Sequence, residues 1–109
     1  MTNNHHVPEL SKAEFDSFIK KGLVLIDFFA EWCMPCVTMS IAIDEISDKF
    51  RGKIKVGKVN VEDNPILAQK FHVSSIPNLI LFKDGKMIDQ IIGAHPVEEL
   101  EDRLNEYLL

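Results

Sequence analysis

The spacing of apolar and polar residues changes several times along the chain, and each change marks an element. Ser11-Lys-Ala-Glu14 has the form of a capping box, so a helix is expected to start at Ser11. Phe15, Phe18 and Ile19 follow at helical spacing, and Gly22 offers a stop. Leu23 to Phe29 is a continuous apolar run broken only by Asp27, the pattern of a central strand covered on both faces. A long helix is expected from about Pro35 to Phe50, with Met39, Ala42, Ile43, Ile46 and Phe50 in one stripe. Lys53 to Val61 alternates weakly and reads as a second strand. Asn64-Pro65 is an N-cap followed by proline at the first helical position, opening a short helix that ends near Phe71. Ile76-Pro77 interrupts the chain before a strand over Asn78 to Phe82. Asp84-Gly85 marks a hairpin turn, and Met87 to Ile92 is the partner strand, ending at Gly93. Pro96 opens a last helix with Val97, Leu100, Leu104 and Leu108 inward, on which Glu99 and Arg103 are spaced to pair.

Strand-helix-strand implies a parallel crossover, and the hairpin adds an antiparallel strand. The expected fold class is therefore α/β, a central mixed sheet of four core strands with helices on both faces. Residues 1–9 are polar, carry Pro8, and read as a tail or a weak fifth edge strand. With 109 residues and no linker-like stretch, one domain spanning 1–109 is expected.

Composition narrows the function. Apolar residues make up 46% of the chain and charged residues 27%, which excludes disordered and low-complexity classes. The net charge is −5, and phosphate binding needs a basic face, so no nucleic-acid partner is expected. The longest apolar runs, Leu23 to Ile26 and Leu79 to Phe82, are too short to span a bilayer, so no membrane association is expected. The first residues lack a basic region leading into an apolar one, and a secretory leader is not expected.

Only two cysteines are present, Cys33 and Cys36. As a staple the pair closes a four-residue ring, worth about 2 kcal/mol by loop entropy. As half of a zinc site it lacks a second C-x-x-C or suitably spaced histidines, since His5 and His6 lie in the tail and His72 and His95 are isolated. Its position asks for a chemical reading. Trp32-Cys-Met-Pro-Cys36 lies where the first central strand ends and the long helix begins. A helix start offers unpaired N–H groups and a positive dipole end, which favour a thiolate at Cys33. Cys36 is one turn on, about 5 Å away between Cα atoms, within disulfide range. Pro35 suits an early helical position. Asp27 shares a strand face with Leu23, Leu25 and Phe29, which places its carboxylate inside with a raised pKa; the plainer alternative is a strand-end aspartate that meets water.

Five segments in this order resemble the thioredoxin family: Asp27-Phe-Phe-Ala-Glu-Trp-Cys-Met-Pro-Cys36, Lys58-Val-Asn-Val-Glu-Asp-Asn-Pro65, Ser75-Ile-Pro-Asn78, Leu81-Phe-Lys-Asp-Gly85 and Gly93-Ala94. The link from C-x-x-C to redox chemistry in this family is a general one. The resemblance implies a thioredoxin fold and a cytoplasmic thiol-disulfide oxidoreductase that reduces disulfides in partner proteins and acts as an electron carrier. It implies Cys33 as nucleophile, Cys36 as the less exposed resolving cysteine, Asp27 as proton acceptor, and Lys58 as a modulator of Asp27. A solvated strand lysine is the alternative for Lys58. It implies a cis bond at Pro77 and a substrate surface of Trp32, Met34, Pro35, Ile76, Pro77, Gly93 and Ala94. Main-chain groups of Ile76 would pair with an extended substrate segment. No metal and no cofactor beyond the Cys33–Cys36 disulfide is implied, and the upstream partner would be thioredoxin reductase.

The chain departs from common family residues at Met34 (Gly), Phe29 (Trp), Val37 (Lys) and Ile41 (Pro). Without proline at Ile41, a straighter helix is expected through residues 39–43. Met34, Val37 and Ile41 fall within about 60° on a helix wheel. They form either an apolar docking surface or, at Ile41, a contact with the last helix. His72 stands where many members have glycine, and a left-handed backbone is expected there.

Overall fold

The structure is a computed structural model that describes residues 7–109. The elements are α1 (Lys12–Ile19), β1 (Leu23–Phe29), α2 (Met34–Lys49), β2 (Ile54–Asn60), α3 (Pro65–Lys70), β3 (Asn78–Lys83), β4 (Lys86–Ile92) and α4 (Val97–Glu106). Sheet order is β2-β1-β3-β4, with β1 and β2 parallel and the other pairs antiparallel. This is the expected four-stranded mixed sheet.

Side-chain alternation on the strands divides the core in two. Leu25, Val56, Leu79, Leu81 and Ile91 pack on Met39, Ile43 and Ile46 of α2 and Leu100 and Leu104 of α4. Val24, Ile26, Phe28, Ile80 and Phe82 pack on Phe15 and Ile19 of α1 and Leu67 of α3. On that second face Phe71 meets Phe82 edge-on, ring centroids 5.2 Å apart, and Phe15 meets Phe82 likewise at 5.8 Å.

Residues 8–10 lie along the outer edge of β2. Lys58 N–H donates to the Pro8 carbonyl (2.9 Å), and Leu10 N–H donates to the Lys58 carbonyl (2.8 Å). Among the described residues this edge pairing is one parallel bridge, Glu9 to Lys58, and not a fifth strand, while residues 1–6 of the expected tail or edge strand lie outside them. Proline is harmless here because only its carbonyl is used. Gly57 makes the approach possible: a Cβ there would come within 3.0 Å of both Leu10 and Phe18. His5 and His6 lie outside the described residues.

Several local expectations gain detail. Ser11 caps α1 through a complete capping box with Glu14. Helix α2 starts at Met34, one residue before the expected Pro35, and continues without interruption through Ile41. Asn64 occupies the N-cap of α3 without a side-chain cap bond; its amide instead donates to the Asn60 carbonyl (3.1 Å). The pair expected between Glu99 and Arg103 is replaced. Arg103 reaches across to Asp89 of β4 with two bonds, 2.7 and 2.9 Å, while Glu99 turns back to His95. A bidentate guanidinium–carboxylate contact across elements outcompetes an exposed pair along one helix.

His72 has φ 58°, the left-handed region. Its N–H donates to Gln69 O (3.2 Å) and the Val73 N–H to Ala68 O (2.8 Å), the two bonds of a Schellman cap. Val73 packs into the same cluster as Leu67, which completes the motif. A Cβ in this conformation is disfavoured. His72→Gly is therefore expected to stabilise the fold by up to about 1 kcal/mol, read as a raised denaturation midpoint at unchanged slope. An equal or lower midpoint would contradict it.

Candidate functional site

The site forms where β1 runs out and α2 begins. Cys33 is the N-cap of α2 and is joined to Cys36 by a disulfide, with 5.2 Å between Cα atoms. The Cys36 N–H donates to Cys33 Sγ (3.2 Å), so an otherwise unpaired helix-start donor already points at that sulfur. The same donor and the positive helix end favour negative charge on Cys33 once the disulfide opens. Both cysteines are 4% exposed, so the expected greater burial of Cys36 is absent at the level of whole residues. Their surroundings differ instead. Ala30 and the partly buried Phe29, Val61 and Ile76 pack against the cysteine pair. Cys36 alone of the two lines an inward cleft of about 210 Å³ together with Asp27, Phe29, Glu31, Ser40 and Lys58.

Asp27 is 2% exposed, and its Oδ1 has no hydrogen-bond partner among the described residues. Burial pushes its carboxyl up to about 7, with the nearby Lys58 charge pulling the other way. Asp27 and Lys58 face each other in the β1–β2 register. The Lys58 ammonium lies 5.5 Å from the centre of the Phe29 ring. The interior position of Asp27, and not the water-facing alternative, is the one found.

Around the disulfide, Ile76-Pro77 is a cis peptide bond. The Gly93 N–H donates to the Pro77 carbonyl (2.8 Å), which holds the Gly93-Ala94 turn beside the proline. Trp32 and Met34 are 65% and 71% exposed, and Pro35 is exposed. Val37 and Ile41 continue this apolar stripe down α2 at 50% and 64%, so Ile41 faces solvent instead of packing on α4. Sequence reasoning assigned nothing to Glu62, whose carboxylate accepts the Trp32 indole N–H at 2.7 Å. That contact spans 30 residues and has no local signal.

A family model described as Thioredoxin matches residues 6–106. The chain belongs to the thioredoxin family. Thioredoxins of Staphylococcus aureus strains Mu50 / ATCC 700699, MW2 and N315 are each 38% identical over 102 residues, covering 94% of this chain and 98% of theirs. The thioredoxin fold, the disulfide oxidoreductase class and the redox-active C-x-x-C disulfide follow from the family match and from the Cys33–Cys36 bond. Among the described residues no cluster of three His, Cys, Asp or Glu side chains is placed to hold a metal ion. No helix among them is long and apolar enough to cross a membrane.

Proposed function

We propose that this chain is a cytoplasmic reductase of protein disulfides, with each site residue in the role its surroundings suit. The observation that carries the assignment of roles is the cleft in which Cys36 meets a buried, unpartnered carboxylate. In the reduced protein, Cys33 thiolate attacks one sulfur of a partner disulfide. The partner S–S bond breaks, one partner sulfur leaves as thiolate, and a mixed disulfide forms on Cys33. Cys36 then gives its proton to the Asp27 carboxylate and attacks Cys33 sulfur. The second partner sulfur leaves, so the partner gains two electrons and the Cys33–Cys36 disulfide is restored. Lys58 tunes Asp27 by its charge.

Trp32, Met34, Pro35, Ile76, Pro77, Gly93 and Ala94 form the surface on which the partner segment lies. Main-chain groups of Ile76, next to the cis bond at Pro77, would pair with an extended substrate segment by strand addition, which tolerates many sequences. No cofactor beyond the disulfide is used, and an upstream reductase of the thioredoxin reductase type returns the two electrons. Precipitation of insulin chains in dithiothreitol tests the reading. The protein is expected to accelerate it strongly at micromolar concentration, and a rate equal to dithiothreitol alone would overturn it.

A further inference from the structure

The turn that carries Gly93 and Ala94 is closed by a side chain outside the exchange chemistry. His95 sits directly before Pro96, the N-cap of α4. Its ring Nε2 lies 2.9 Å from the Ile92 carbonyl at the end of β4, and its Nδ1 meets the Glu99 carboxylate in the first turn of α4. The His95 backbone N–H also contacts Met39 Sδ at 3.5 Å. The ring therefore spans the turn from behind Gly93 to beyond Pro96.

Both of its partners only accept hydrogen bonds: a backbone carbonyl and an ionised carboxylate have no proton to give. Both ring nitrogens must then donate, and only the imidazolium has a proton on each. Neutral imidazole would leave one lone pair facing an oxygen, so one of the two bonds must be lost. We propose that His95 is a positioning residue for substrate docking: its imidazolium clamps the Gly93-Ala94 turn between Ile92 and Glu99 and releases it on deprotonation. This rests on the docking role given to that turn above.

The charges that face the ring agree with the clamp. Glu99 of α4 favours the imidazolium directly, and Glu45 of α2 lines the same groove as His95. Arg103 of α4 opposes it, but its guanidinium is engaged by Asp89 of β4. The positive end of α4 also opposes it and is offset by Glu98 and Glu99 in the first turn. The bonds to Ile92 and then to Glu99 hold the ring pKa above its ordinary value.

The test pairs a structural readout with a kinetic one. In the oxidised protein, the His95 ring is followed by NMR from pH 5 to 9, together with the Gly93 and Ala94 amides. The expected result is a ring midpoint above that of free imidazole side chains, shared by both amides. In parallel, kcat/KM for insulin is divided by kcat/KM for 2-hydroxyethyl disulfide, which is too small to use the turn and which corrects for Cys33 ionisation. This ratio is expected to fall about three- to tenfold through the same midpoint, mostly in KM. It should be flat with pH in His95→Leu, and its fall should move to lower pH in Glu99→Gln, which keeps the acceptor and removes the charge. A ring that titrates at or below the ordinary value, or turn amides that ignore it, overturns the clamp. Co-titration with a flat ratio overturns the positioning role while disulfide exchange stands. Absence of insulin reduction at every pH would instead overturn the function itself, and the positioning role with it.

Discussion

Asp27→Asn is expected to yield a more stable protein that exchanges thiols more slowly. Asp27 is 2% exposed with an unpartnered carboxylate oxygen, and its carboxyl is raised from 3.8 to about 7. The unfolded chain gives up this proton near pH 4, whereas the folded chain keeps it until about pH 7. Between those values the unfolded state binds fewer protons, so stability falls as pH rises, and the full penalty is present above pH 7. At about 1.4 kcal/mol per pKa unit, the whole displacement is worth on the order of 4 kcal/mol. Asparagine has no charge to desolvate. The variant should therefore exceed the wild type by several kcal/mol at pH 8, with the difference shrinking toward pH 4. Denaturant midpoints across that range measure it, and a difference independent of pH would contradict the buried-carboxylate account. In the proposed mechanism the same substitution removes the group that accepts the Cys36 proton, since both residues line one cleft. Resolution of the mixed disulfide near neutral pH should slow by about tenfold or more, within the usual range for general-base removal. Exchange rates unchanged from pH 6 to 9 would remove Asp27 from the mechanism.

The second large effect separates the two cysteines. Cys33 caps α2 and receives the Cys36 N–H, while Cys36 lines the cleft that holds Asp27. The attacking sulfur needs thiolate stabilisation and the resolving sulfur needs a nearby base, and each cysteine has the surroundings for one task. Cys33→Ser is expected to reduce protein disulfides no faster than background. Cys36→Ser should react once and stop, accumulating a stable mixed disulfide through Cys33 that mass spectrometry resolves. Efficient trapping through Cys36 in the Cys33→Ser variant, with none through Cys33 in the other, would reverse the roles.

Much of this architecture could be read from residue spacing because its determinants are local. The uninterrupted apolar run of β1, the Ser11 capping box, the Asp84-Gly85 turn and the left-handed backbone at His72 each depend on a few neighbouring residues. Asp27 was legible too, because strand alternation placed it among apolar neighbours. Contacts between distant segments left no such trace. Glu62 under the Trp32 indole and the Asp89–Arg103 pair that displaces Glu99–Arg103 are set by how elements meet, not by spacing along one of them. Ile41 shows the limit on a single helix: its position on the wheel suited either a docking stripe or a contact with α4, and only the packing distinguishes them. Relative exposure of the cysteines also escaped the sequence, since covering residues come from Ala30, Val61 and Ile76 at three separate places.

The central claim is that electrons pass from the Cys33–Cys36 dithiol to a disulfide in another protein. The most direct measurement is a single turnover: pre-reduced protein, freed of reductant, is mixed with excess insulin, acid-quenched and counted for thiols and disulfides on both chains by mass spectrometry. One insulin disulfide should be lost for each Cys33–Cys36 disulfide formed. Dithiol that persists beside intact insulin, or Cys33–Cys36 oxidation without matching insulin thiols, would contradict it.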